Sequence, residues 1–118
     1  EYNVAGIEIE NSSDADVHDN VVRYNTGGIL VFDLPDLFVP SGKNTRIYNN
    51  HIYANNTDNF ASKAGTVAFV PAGSGILLLA AKNTEVFGNK IENHNLNSIT
   101  MASYHVMGLK TRTSLFVT

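Results

Sequence analysis

The sequence predicts an all-β solenoid, a chain wound into stacked coils of short parallel strands. A nine-residue pattern, (D/N)-x-x-(V/I)-x-x-N-x-(V/I), occurs three times, as Asp14–Val22, Asn44–Ile52 and Asn83–Ile91. A Gly-Ile-x-(I/V/L) tetrapeptide precedes each copy, at Gly6–Ile9, Gly28–Val31 and Gly75–Leu78, and a fourth start with serine for glycine follows at Ser98–Met101. No stretch carries an i, i+3, i+4 apolar stripe long enough for two helices. A period near 22 residues therefore fits three short strands per coil.

Taken in order, the coils are plain at both ends and decorated in the middle. Gly6 to Gly28 is 22 residues and Gly75 to Ser98 is 23, but Gly28 to Gly75 is 47. Gly28 to Asn50 is 22 residues where Gly6 to Asn20 and Gly75 to Asn89 are both 14, which puts an insertion of eight residues within 34–42. A second insertion occupies 57–74. Residues 1–105 are thus expected to form about four coils, with 106–118 a tail or C-terminal cap and the whole part of a longer solenoid, because open coil ends leave strand edges unpaired.

Stacked coils put equivalent residues above one another at the ordinary strand spacing, about 4.8 Å. The inward set is then Ile7, Ile9, Val17 and Val22, followed by Ile29, Val31, Ile47 and Ile52, then Ile76, Leu78, Val86 and Ile91, with Ile99 and Met101 in the fourth coil. Their β-branched majority suits strands. Among 15 asparagines, Asn20, Asn50 and Asn89 share one corner position. They are expected to tolerate φ > 0 there and to bond from coil to coil as a structural ladder.

Composition excludes several functions. Charged residues are 16% and the net charge is -3, so there is no basic field for nucleic acid or anionic membrane. The absence of cysteine removes disulfides, thiolate metal sites and cysteine nucleophiles. No segment is apolar over the roughly 18 residues of a membrane span, and EYNVAG at the start is unlike a signal peptide.

With these residues in hand, the repeat resembles that of the right-handed parallel β-helix proteins of the pectate-lyase-like superfamily. It is most similar to exported bacterial proteins described as parallel β-helix repeat-containing or NosD-like, with GGILVFDLP and VPAGSGILLLA the segments most like them. The resemblance covers most of Ala5 to Tyr104. It implies a single-stranded right-handed parallel β-helix. It also implies export, to the periplasm, to the outer membrane as a lipoprotein or to the extracellular space, and a role in binding or processing carbohydrate.

Specific site residues are few. On the Gly-Ile strands the outward columns are Glu8, Leu30, Leu77 and Thr100, then Glu10, Phe32, Leu79 and Ala102. Leu30, Phe32, Leu77 and Leu79 form a greasy face that either binds a partner or is covered by the insertions, whose Leu34, Leu37, Phe38, Val39, Phe60, Val67, Ala68, Phe69 and Val70 are too apolar for solvated loops. In the third coil, Leu77, Leu79 and Ala81 are expected outward and Ile76, Leu78 and Ala80 inward. Asp33, Asp36, Tyr104 and His105 sit where insertions begin and are the catalytic candidates by position. Asp16-Val17-His18-Asp19 is similar to the Asp-Pro-His-Asp motif of mannuronan epimerases, with Val for Pro and no partner motif. Asp14, Asp16 and Asp19 with Glu8 and Glu10 could gather calcium through oxygen ligands, but a solvated acidic edge is the preferred reading of them, and no cofactor is expected. His18, His51, His94 and His105 share no ladder position, which speaks against zinc; His94 aligns instead with Asn25 and Asn55. Thr45 and Thr84 stack but are too few for an outward threonine array. Asn11 and Asn55 head glycosylation acceptor triplets.

Two functions fit. One is an exported, non-catalytic module that binds carbohydrate or a protein partner along the side of the solenoid, with end-to-end or side association. The other is a carbohydrate-active enzyme, a polysaccharide lyase or epimerase, whose site needs further coils.

Overall fold

A computed structural model of the chain describes residues 1–33, 43–103 and 114–117. The strands are β1 (Ala5–Glu10), β2 (Asp16–His18), β3 (Val21–Arg23), β4 (Gly27–Phe32), β5 (Arg46–Tyr48), β6 (His51–Tyr53), β7 (Ser74–Leu79), β8 (Lys82–Phe87), β9 (Lys90–Glu92), β10 (Asn97–Ala102) and β11 (Ser114–Val117). They build three sheets in the orders β1-β4-β7-β10, β2-β5-β8-β11 and β3-β6-β9. Every pairing is parallel. The fold is therefore all-β, with successive strands dealt in turn to a first, second and third sheet. Residues 106–113 and 118, part of the expected tail, lie outside the described residues, whereas Ser114–Val117 supplies a fourth strand to the second sheet.

Registers follow the repeat. Ile7 lies opposite Ile29, Ile29 opposite Ile76 and Ile76 opposite Ile99. Val17, Ile47 and Val86 align in the second sheet, and Val22, Ile52 and Ile91 in the third. These columns are the core, with Ile29, Ile47, Ile52, Ile76 and Leu78 fully buried and Ile7, Ile9, Ile91 and Ile99 packed against them at the ends. Met101, expected in the core, is instead 57% exposed, because β10 is the last strand of its sheet and nothing described stacks beyond it. The repeated glycine has a steric cause. A Cβ on Gly28 would stand 2.4 Å from the Gly75 carbonyl oxygen, and one on Gly75 the same distance from that of Ser98.

Corners are made by rows of left-handed residues. Asp14, Asn44 and Asn83 open the second sheet's strands at φ of 60, 64 and 50°, and Asp19, Asn49 and Gly88 close them at 57, 55 and 64°. Tyr24, Ala54 and Asn93 form the next such row. The expectation of φ > 0 at Asn20, Asn50 and Asn89 is corrected by one residue: the bend falls on the residue before, which frees the ladder asparagine to turn its amide inward. Asn20 Nδ2 donates to Asn50 Oδ1 at 2.9 Å and Asn50 Nδ2 to Asn89 Oδ1 at 3.0 Å, while the Asn50 and Asn89 amides also donate to the Val17 and Ile47 carbonyls. A second ladder runs through the following corner. Asn25 Nδ2 donates to Asn55 Oδ1 at 3.0 Å, and His94 takes the third rung, its Nδ1 accepting from the Asn55 N–H at 3.3 Å.

The central strands of the first sheet, β4 and β7, are buried on both faces. Leu30, Phe32, Leu77 and Leu79 pack with Val4, Val70 and Ala80 under Ala61, Val67 and Phe69 of the second insertion, and Phe69 meets Phe32 edge to face at 6.1 Å. Asn59 shapes that insertion by donating to the carbonyls of Val67 and Val70 at 3.0 and 2.9 Å. Phe60, expected to fold back as well, is 64% exposed. The first insertion, with Leu34, Leu37, Phe38 and Val39, lies outside the described residues. Ala80 and Ala81 exchange their expected sides: the left-handed turn at Ala80 (φ 53°) breaks the alternation, so Ala80 joins the covered outer layer and Ala81 the inner core.

Candidate functional site

Leu30, Phe32, Leu77 and Leu79 are at most 5% exposed, so as a binding face they are not available in this structure. Asp33 follows β4 and is buried, its N–H donating to the Leu79 carbonyl at 3.4 Å. Asp36, Tyr104 and His105 lie outside the described residues, so the four catalytic candidates are not seen together. In the epimerase-like tetrapeptide, Val17 is core and Asp16 is bound by Arg46. Asp14, Asp16, Asp19, Glu8 and Glu10 do not converge, and among the described residues no group of three or more acidic or histidine side chains could hold a metal ion. Thr45 and Thr84 are buried rather than outward. Asn55 is fully buried in its ladder and closed to glycosylation.

An open polar surface lies on the outer face of the second sheet. Alternation along β2, β5 and β8 sends Val17, Ile47 and Val86 inward and their neighbours outward. Because the strands are in register, the outward residues form columns of like position: Asp16, Arg46 and Glu85, then His18, Tyr48 and Phe87. Asp14, Asn44 and Asn83, the left-handed residues two positions before the first column, add a third column. The first and third columns line a groove of about 380 Å³.

Within the groove, Arg46 holds Asp16 in a two-pronged contact, Nε to Oδ1 at 2.8 Å and Nη2 to Oδ2 at 2.7 Å. That hydrogen bonding, with the guanidinium charge, keeps the Asp16 carboxyl below its ordinary range and raises the Arg46 pKa in return, with Glu85 adding to the latter. Asn44 Nδ2 donates to Asp14 Oδ1 at 3.1 Å. Glu85 and Asn83 are solvent-exposed. The groove thus presents three carboxylates, one guanidinium and two amides, a mixed array of acceptors and donors repeated at the strand spacing.

Beside it, the His18, Tyr48 and Phe87 rings stack at 4.9 and 5.0 Å with planes within 7 and 3°. Tyr48 is the middle ring of the stack, and the Arg46 guanidinium carbon lies 5.6 Å from its centroid. The stack stiffens the strands that carry the polar columns. The third sheet's outer face is instead tied up internally: His51 bonds Glu92 at 2.8 Å, and Arg23 donates to Tyr53 and Glu1 at 2.8 and 2.9 Å.

These columns are legible in the sequence, since Asp16, Arg46 and Glu85 occupy one position of the repeated pattern and His18, Tyr48 and Phe87 another. The missing signal was which outward face stays open. Comparison with family models, with characterised proteins and with solved structures gives no match for the chain.

Proposed function

We propose that the chain is a right-handed parallel β-helix module, exported and non-catalytic, that binds carbohydrate along the outer face of its second sheet. The β-helix reading is supported by strands dealt in turn to three parallel sheets and by asparagine ladders at two successive corners. The binding reading is carried by one observation, the open groove lined by Asp14, Asp16, Asn44, Arg46, Asn83 and Glu85. Sugar hydroxyls donate and accept at once, and a face that alternates carboxylate, amide and guanidinium at the strand repeat, about 4.8 Å, meets both needs of successive rings. Arg46, already neutralised by Asp16, gives no site for a strongly acidic polymer.

The test is a panel of neutral and acidic polysaccharides scored for retention and for new unsaturated ends, with wild type and the Asp16→Asn, Glu85→Gln double variant. Retention of a neutral glycan by wild type, weakened in the double variant and without chain cleavage, is the expected result. Retention indifferent to both substitutions sinks the groove as the site. Unsaturated ends would move the module to the lyases.

A further inference from the structure

The second ladder changes chemistry at its third rung. Asn25 and Asn55 present amides that do not titrate, whereas His94 presents an imidazole in the same place. Both ring nitrogens are committed. Nδ1 accepts from the Asn55 backbone N–H at 3.3 Å, and Nε2 lies 3.1 Å from the Ile52 carbonyl, to which only an N–H can bond. This pair of partners fits a single form, the neutral imidazole with its proton on Nε2. Protonation puts a second donor on Nδ1, facing a donor.

No nearby charge favours the imidazolium. β7 and β10 carry no ionisable side chain, and neither does the 54–57 segment. On β6 and β9 the ionisable groups are His51, Tyr53, Lys90 and Glu92. His51 bonds Glu92, Lys90 stands 3.7 Å from the same carboxylate, and Tyr53 packs on His51 and accepts from Arg23. Half-burial with no charged partner disfavours the protonated ring and lowers the His94 pKa. Space is also short, since the ring sits against the Gly75 backbone, where a Cβ would meet it at 2.9 Å.

We propose that His94 is an acid-sensitive rung that loosens the corner leading into β10 when it is protonated. The corner spans Asn93–Leu96. Asn56 holds it at Asn93 and Asn95, and the Leu96 and Asn97 N–H groups donate to the Gly73 carbonyl. Those bonds do not titrate, so acid removes one anchor of several. β10 detaches first and uncovers the β7 edge, while the coils built on Asn rungs stay closed. The sign follows from the lowered pKa: the neutral rung stabilises fully above the ordinary histidine value near 6.5, and that contribution is lost as pH falls below it.

The experiment is amide exchange of residues 96–102, corrected for intrinsic rates, between pH 7.5 and 5 in wild type and His94→Asn. Asparagine restores the rung of the other coils: its Oδ1 replaces Nδ1 and its Nδ2 replaces Nε2. Wild type should lose protection in this segment on acidification and His94→Asn should keep it, with His18, His51 and His105 unchanged in both. Equal loss in the two proteins overturns the proposal. Should the variant fold poorly, nitrogen chemical shifts of the wild-type imidazole decide: an Nε2–H tautomer at pH 7.5 whose titration moves the Asn55 amide supports it, and an Nδ1–H tautomer or an indifferent Asn55 amide overturns it.

Discussion

The outer faces of the first and second sheets are built from the same repeat and end in opposite states. On the first, Leu30, Phe32, Leu77 and Leu79 lie under Val67, Phe69 and Val70; on the second, Asp16, Arg46 and Glu85 face solvent. Both sheets share the inner core and the strand spacing. What separates them is the residue type in two outward columns and the presence of an inserted segment over one of them. A parallel sheet with one apolar outer face must be covered to be stable, and a polar one need not be. Under the proposed function, structure and recognition divide between two sides of one scaffold.

Substitutions that treat the two faces alike should give unlike results. The largest effect is expected for Phe32→Ser with Leu79→Ser: each removes a buried side chain worth about 3–5 kcal/mol on truncation, and together they should abolish the cooperative transition seen by circular dichroism in urea. A folded double variant would mean the second insertion is not a structural lid. Next is Gly28→Ala, where the added methyl must displace both the Gly75 carbonyl and the Ile52 side chain, at a cost of roughly 1–3 kcal/mol read from the urea unfolding curve. Asn50→Ala leaves the Asn20 donors and the Val17 carbonyl without their partner and should cost about 1–3 kcal/mol. Ser12→Ala, which removes one exposed bond at a position of ordinary backbone, should cost much less, and equal losses would deny the ladder its special role. The smallest effect on stability belongs to Arg46→Gln, which breaks an exposed ion pair that salt screens. Its consequence is expected in glycan retention, with the thermal midpoint nearly unmoved.

Much of the scaffold was legible because parallel strands stacked in register repeat their columns as a recurring sequence pattern, whatever is inserted between copies. Ile7, Ile29, Ile76 and Ile99 are found by alignment, and so is the place of His94 beneath Asn25 and Asn55. What misled was local. The left-handed residues precede the ladder asparagines, since an amide that bonds along the stack needs the bend completed before it. Ala80 reverses the side of Ala81 by a single positive φ, which an alternating pattern cannot reveal. Met101 has a core residue's position and an end residue's exposure. The open face was hidden for a different reason: its columns are mixed in charge, Asp, Arg, Glu, and each looks like ordinary surface until the strands are laid side by side.

The asparagine row also has a direction. Each rung gives its N–H groups to the side-chain oxygen of the next, from Asn20 to Asn50 to Asn89, so the amide dipoles add head to tail along the stack. The end at Asn20 therefore presents an acceptor and the end at Asn89 presents donors. A further coil, from this chain or another, can extend the row in only one orientation, which gives the stack a polarity that its apolar core alone would not impose.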